Sequence, residues 1–404
     1  MSLAVPVPEQ SDFPIDCLPY CLFSTGDGRR RIGVAIGDHV LDAAATAVAA
    51  GLPEVAVLGA ASLNEFMAGG PGSWRRVREL FTEWLSDGAQ PGRVEPYLHP
   101  REQLSLHLPF EVADYVDFYS SEHHATNLGR ILRPDSPPLT PNWKHLPVGY
   151  HGRAGTVVVS GTPVVRPHGQ HGGRGGGAPV FGPSERLDIE AEVGFLVGVG
   201  SRLGEPVPIE AFSEHVFGAL LLNDWSARDI QAFEYVPLGP FLGKSFATSV
   251  SPFVVPLAAL EAARLDPPPR EPPVQAYLAD AEPWGLDLRL EIEWNGTVVS
   301  RPPFSTMYWT PAQQLAHMTV NGAALRTGDL YGSGTVSGPG AGEEGSFVEL
   351  TRNGTEPLKF PDGSERGFLE DGDVVRIRAT APGTGGHRLG FGEVAGEVRP
   401  ARPV

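Results

Sequence analysis

The sequence predicts a mainly β (α+β) protein, with a small N-terminal domain of strands and helices followed by a larger, strand-rich one. Three observations carry that expectation. Glycine and proline are abundant, 50 and 40 of 404 residues, above ordinary usage but short of a low-complexity chain; many tight turns between short strands account for them. Hydrophobic residues make up 41% and charged residues 20%, so the chain can bury a core and is not disordered. At roughly 150 residues per domain, the length allows two to three domains.

The first elements are three short strands over 20–24, 31–36 and 39–42. Gly26-Asp27-Gly28 and Gly37-Asp38 separate them and supply the left-handed residues that hairpin turns need. After Ala43 the pattern becomes helical. Ser73 is the expected cap of a helix in which Trp74, Val77, Phe81 and Trp84 recur at helical spacing, with Gly88 ending it. The stretch 90–103 holds Pro91, Pro96 and Pro100 and looks irregular, so the boundary falls at its end: residues 1–104 form one domain and 105–404 the other.

The second domain is strand after strand. Glu291–Trp294, Asn295-Gly296 and Thr297–Val299 form a strong hairpin signal, and Phe347–Leu350 followed by Asn353-Gly354 repeats it. Thr310, Pro311 and Gln313 mark a capped helix start. The Gly-rich segment 167–183 is expected to be a mobile surface loop.

Composition excludes several functions. The net charge of −17 is wrong for a nucleic-acid partner. No apolar run reaches the roughly 18 residues of a membrane span, and Met1–Pro19 carries Glu9, Asp12 and Asp16 where a secretory signal would be basic and then apolar. Two cysteines, Cys17 and Cys21, make no disulfide framework and are expected to be ordinary thiols. A cytoplasmic location follows from these features. Gly243-Lys244-Ser245 lacks the partner glycine of a phosphate loop, since Leu238 stands where it should be. His123 and His124 are adjacent, so their side chains diverge and do not share one ion.

The distinctive polar residues fall in four stretches: 117–133, 188–192, 223–248 and 334–349. Asp188, Glu190 and Glu192 alternate with Ile189 and Ala191, so in a strand all three carboxylates share a face. A solvated strand face is the commoner meaning of such a pattern. Here, however, the group leads into the apolar run Val193–Val199, and Asp224 likewise follows the apolar run 217–222. Acidic groups at the ends of core strands need partners. Two carboxylates near 4 Å repel by about 4 kcal/mol at an effective dielectric of 20. Only cations hold such a cluster ionised, and oxygen ligands suit Ca²⁺ or Mg²⁺ better than zinc.

The same stretches resemble the fumarylacetoacetate hydrolase family. The resemblance lies in Asp117-Phe-Tyr-Ser-Ser121 with His124-Ala-Thr-Asn127, Leu146-Pro-Val-Gly-Tyr-His-Gly-Arg153, Asn223-Asp-Trp-Ser-Ala-Arg-Asp-Ile-Gln231, Tyr235–Phe246 and Ser333-Gly-Thr-Val-Ser-Gly-Pro339, in family order. It implies an SH3-like N-terminal barrel, a C-terminal β-roll and a homodimer. It further implies Mg²⁺ or Ca²⁺ on Asp117, Glu190, Glu192 and Asp224, with Lys244 and Thr248 adjacent. By the same resemblance His124 is the catalytic base, oriented by Glu349, and Arg228, Gln231 and Lys244 receive the oxyanion. Tyr119, Arg133, Tyr150, Gln231, Tyr235 and Thr335 match substrate contacts. The implied reaction is hydrolysis of a small dicarboxylate diketone, fumarylacetoacetate, to fumarate and acetoacetate, the last step of tyrosine and phenylalanine degradation. Glu122-His123 departs from the family's usual polar or basic pair, and the Gly-rich loop 172–177 departs in composition. Two other readings stay open: another hydrolase or decarboxylase of the wider superfamily, acting on acylpyruvates or keto acids, and a non-catalytic metal-binding β-protein.

Overall fold

In a computed structural model, which describes residues 3–86, 88, 90–173 and 177–404, the chain begins with β1 (Tyr20–Ser24), β2 (Arg31–Ile36) and β3 (His39–Asp42). Their bounds are those expected from the sequence. Gly28 and Gly37 both take positive φ, 70° and 54°, as the turns require. Helix α1 (Ala43–Ala50) follows, capped by the Asp42 carboxylate on the Ala45 N–H. Helix α2 (Gly70–Ser86) buries Val77, Phe81, Trp84 and Leu85 on one stripe. It starts three residues before the expected cap, because Pro71 is pre-set for a first turn. The Ser73 hydroxyl instead donates to Glu54, which also pairs with Arg76.

The irregular stretch contains one strand, β4 (Leu98–Pro100), on the edge of β3, and β5 (Ser105–His107) pairs with β1. Then come β6 (Tyr115–Phe118), α3 (Glu122–Leu132), β7 (Gly149–His151), β8 (Ala191–Val197), β9 (Val216–Asp224), α4 (Arg228–Glu234), β10 (Thr248–Val250) and β11 (Phe253–Pro256). Among the described residues one thirteen-stranded sheet runs β4-β3-β2-β1-β11-β9-β8, then through β14 (Leu330–Gly332) to β6 and β7. The join between the N-terminal and C-terminal strands is backbone to backbone, Tyr20 opposite Val254 and Cys21 opposite Phe253. Strands β8 and β9 are buried along their whole length, as their unbroken apolar runs require.

A second sheet contains the hairpin of β12 (Arg289–Trp294) and β13 (Thr297–Ser300), with β15 (Val374–Pro382) and β16 (Arg388–Arg399). Asn295 and Gly296 turn that hairpin with φ of 49° and 79°. The Thr310–Gln313 capping box opens α5 (Pro311–Thr319) as expected. Cys17 and Cys21 are free and buried, and burial pushes both thiols up.

Two expectations are corrected. Phe347–Leu350 is not a strand but a short helix, α6. Asp188 accepts the Phe347 and Val348 N–H groups at 2.7 and 3.1 Å, satisfying the donors a first helical turn exposes. Phe347 stacks on Trp294 at 4.2 Å. The segment 167–183 is not an open loop but an exposed two-stranded ribbon, His168–Gly173 against Gly177–Pro183, leaning on α4 where Gly169 abuts Ile230. Residues 174–176 of the Gly-rich loop lie outside the described residues. Among those described, no helix is long and apolar enough to cross a membrane.

Candidate active site and metal centre

Four neighbouring strands bring the acidic residues together. Asp117 lies on β6, opposite Gly332 of β14; β14 pairs with β8, which carries Glu192; β8 pairs with β9, which ends at Asp224. Glu190 immediately precedes β8, and its carbonyl accepts the Asp224 N–H. One carboxylate oxygen from each of Asp117, Glu190, Glu192 and Asp224 lies within 4.8 Å of the others, and all four side chains are buried. The room for this convergence comes from Gly332. A Cβ there would lie 2.6 Å from both Asp117 Oδ1 and Glu192 Oε2.

Cations and hydroxyls partly satisfy the cluster. Lys244 Nζ bridges Glu190 and Asp224, the latter at 2.8 Å. Thr248 reaches Asp224 at 3.3 Å, and the Tyr150 hydroxyl donates to both Asp117 (3.2 Å) and Asp224 (3.0 Å). Glu192 Oε1 is buried with no hydrogen-bond partner. Burial pushes the Asp117 carboxyl up to about 8, reinforced by repulsion from Asp224. Glu192 is raised well above the carboxylate range by burial and then by Asp117, and Asp224 is raised by burial against the opposing pull of Lys244. Glu190 goes the other way: burial would raise it, but Lys244 and Arg228 outweigh that and lower it. All-oxygen donors, one oxygen left orphaned and three carboxyls raised by burial and then by their acidic neighbours, fit a hard divalent cation. The cluster can therefore hold a metal ion.

Gly332→Ala provides a test that leaves every ligand in place. Its backbone is not left-handed, so alanine is locally tolerated, yet the new methyl crowds two ligand oxygens. Divalent-ion affinity is expected to fall by about 10- to 100-fold in calorimetric titration, the range for altered ligand support, with the circular dichroism spectrum retained. Unchanged affinity would remove this cluster as the binding site.

Beside the cluster sits His124 on the first turn of α3, fully buried. Ser121 caps the helix, accepting the His124 N–H at 3.2 Å. His124 Nδ1 is 2.6 Å from Glu349 Oε2, and its Nε2 is 3.9 Å from Glu190 Oε1. Glu349 also accepts from Asn127 (2.9 Å), Ser337 (3.1 Å) and Ser346 (2.7 Å). Burial would raise this carboxyl, but His124 and these donors together lower it. Tyr119 sets its ring edge-on to His124 at 5.3 Å. Glu122 pairs outward with Lys144 at 2.6 Å, so its charge is compensated on the far side of the helix.

Arg228 closes the other side. Its Nε donates to Asp188 at 2.8 Å and its Nη1 to Glu190 at 2.7 Å and Gln231 at 3.1 Å, while Nη2 is buried without a partner. The buried Thr335 hydroxyl is likewise unpartnered. Arg133 donates to the Pro138 carbonyl, and Tyr235 follows α4 half-buried with its N–H on the Gln231 carbonyl. A cavity of about 90 Å³ beside the cluster is lined by Tyr150, Asp224, Phe241 and Lys244. A larger one of about 630 Å³, between α2 and the start of β9, touches none of these groups.

Asp188 does not join the four carboxylates, because the chain breaks its strand at 189–190. Sequence reasoning also passed over Asn127, Ser337 and Ser346 as partners of Glu349. Asn127 stands three residues after His124 on one helix, a spacing that puts both on one face; nothing local marks the two serines.

Residues 114–399 match the family described as fumarylacetoacetate hydrolase C-terminal, and residues 16–109 the one described as fumarylacetoacetase N-terminal. The chain is 47% identical to the fumarylacetoacetase of Homo sapiens over 413 aligned residues, 98% of each chain. It is 46% identical to that of Caenorhabditis elegans (99% and 100% covered) and 42% identical to that of Arabidopsis thaliana (99% and 98%). Among solved structures, a fumarylacetoacetate hydrolase from Exiguobacterium antarcticum superposes with TM-score 0.56 at 20% identity, covering 95% of this chain and all of that one. A maleylpyruvate hydrolase from Sphingobium superposes with TM-score 0.54 at 17% identity, with 95% and 100% covered. At those identities the likeness is one of fold.

Proposed function

The chain belongs to the fumarylacetoacetate hydrolase family, and from that premise we propose that it hydrolyses fumarylacetoacetate to fumarate and acetoacetate, as a cytoplasmic homodimer in tyrosine and phenylalanine degradation. The observation that carries the reading is the buried His124–Glu349 pair, 2.6 Å apart, set against a four-carboxylate cluster.

The substrate is a 1,3-diketone, and cutting its C–C bond needs three things at once. Water must lose a proton as it attacks the carbonyl, the resulting alkoxide must be stabilised, and the leaving carbon must depart as an enolate. Because Glu349 is held ionised, it accepts the Nδ1 proton and leaves the Nε2 lone pair of His124 free to take the proton from water. Glu349 then steadies the imidazolium. The water oxygen bonds to the carbonyl carbon, the C–C bond breaks, and the proton held by His124 passes to the departing carbon. Arg228, Gln231 and Lys244 are the donors for the alkoxide; the unpartnered Arg228 Nη2 and the Thr335 hydroxyl are buried donors with capacity to spare for substrate oxygens. Tyr119, Arg133, Tyr150 and Tyr235 complete the proposed contacts. Asp117, Glu190, Glu192 and Asp224 would hold Mg²⁺ or Ca²⁺, which when bound supplies Lewis-acid stabilisation of negative charge on the departing fragment.

The test follows the diketone's ultraviolet absorbance with fumarate quantified, in parallel with an acylpyruvate, with Mg²⁺ or Ca²⁺ and with a chelator. Fumarate release that chelation abolishes is expected. No fumarate under any ion, or faster cleavage of the acylpyruvate, overturns the substrate assignment.

A further inference from the structure

Asp188 is fully buried yet stands outside the carboxylate cluster. Its two oxygens are saturated by four donors from three separate stretches of chain. Oδ1 accepts the Ile189 and Phe347 N–H groups, each at 2.7 Å; Oδ2 accepts Arg228 Nε at 2.8 Å and the Val348 N–H at 3.1 Å. Phe347 and Val348 open α6, and the next residue is Glu349, whose carboxylate holds His124. Arg228 is the guanidinium whose remaining edge faces Glu190 and Gln231.

We propose that Asp188 is a positioning residue that clamps Arg228 and the Glu349-bearing helix to one anchor, fixing the spacing between the proton-taking imidazole and the guanidinium that stabilises the alkoxide. The chain of contact runs His124, Glu349, α6, Asp188, Arg228. A carboxylate is required because all four partners are donors, and only an ionised acid offers acceptors alone. An amide would turn an N–H₂ group toward either Arg228 or α6 and repel it. Four residues of helix make too few bonds to hold themselves in place, so the register of α6 depends on what grips its first turn. Arg228 is gripped along two edges, Nη1 on Glu190 and Gln231 and Nε on Asp188, and only the Asp188 contact also reaches α6.

The inference rests on the hydrolytic reading of His124 and Arg228, and its experiment separates the two. In the metal-loaded full chain, Asp188→Asn is expected to lower kcat by ~100-fold, as loss of hydrogen bonds to a charged group does, with KM within about threefold. In an Arg228→Gln background the further loss is expected to shrink at least about fivefold, because the clamp has already been opened. Losses that simply multiply, or a KM rise matching the fall in kcat, overturn the proposal. Hydrogen exchange read by mass spectrometry on the Arg228→Gln protein needs neither substrate nor Asp188→Asn to fold. Amides 346–350 are expected to exchange ~10-fold faster than in the unaltered chain, and unchanged exchange there overturns the clamp even if turnover is normal. Absence of fumarate release by the unaltered chain would instead sink the hydrolytic reading and leave the exchange result standing.

Discussion

His124→Asn is expected to lower kcat by about 10²- to 10⁴-fold, the range for a lost general base, while divalent-ion affinity stays near that of the unaltered chain. The expectation follows from where the ring's two nitrogens lie. Nδ1 is committed to Glu349, a carboxylate kept ionised by four donors, so the base can only be Nε2. That atom lies 3.9 Å from Glu190, near enough for a water to be positioned between imidazole and cluster. Asparagine can still donate toward Glu349, so the buried acid keeps a partner and the fold is spared. It cannot accept a proton at neutral pH. Metal affinity and kcat, measured on the same preparation, should therefore separate. Turnover at the unaltered rate would remove the base assignment, and loss of metal binding in parallel would reassign His124 to the metal centre.

Removing the metal is expected to make stability depend on pH in a sense opposite to ordinary acid denaturation. Without an ion, Asp117, Glu192 and Asp224 hold protons that the unfolded chain releases once pH exceeds the ordinary carboxylate value, about 4. The folded state then binds more protons than the unfolded one, so stability falls as pH climbs from that range toward about 8, where Asp117 titrates. A bound divalent ion keeps these groups ionised throughout, and the decline disappears. At a fixed ion concentration the ion's contribution, about 2.7 kcal/mol where that concentration is 100 times Kd, should thus grow with pH as Kd falls. Scanning calorimetry at several pH values, with chelator and with Mg²⁺, reads this directly. Melting temperatures that differ by a constant amount at every pH would show that the cluster is not the site of the linked protons.

The parts of the fold that were legible in the sequence are those governed by local rules. Gly28, Gly37 and Asn295-Gly296 determine their turns through backbone conformation alone; the first three strands came out with their expected bounds, and the strands flanking Asn295-Gly296 run slightly longer than expected, Arg289–Trp294 and Thr297–Ser300. Thr310-Pro311-Gln313 likewise needs no distant partner to start a helix. Failures occurred where a remote group decides the outcome. Phe347–Leu350 has the composition of a strand, but its first turn is held by the Asp188 carboxylate, 159 residues away from Phe347, and by stacking on Trp294. The alternation of Asp188, Glu190 and Glu192 suggested one shared face, but the pull of Arg228 and α6 sends Asp188 elsewhere. The four converging carboxylates could be named from motifs matched across the chain. That they meet depends on Gly332, which adjoins the 333–339 stretch but whose close approach to two carboxylates only the fold reveals.

The backbone join between β1 and β11 also bears on how this chain can be divided. Leu22, Ile32 and Phe66 from the N-terminal region pack in one apolar cluster with Leu220, Leu222 and Val254 from the C-terminal region. Strand β11 in turn pairs with β9, the strand that ends in Asp224. Cutting the chain between the two matched families would therefore not release two self-contained modules. It would strip one flank from β11 and leave a bare apolar edge, a ready template for self-association. The leading hundred residues are thus not a detachable appendage but a packed wall of the C-terminal sheet.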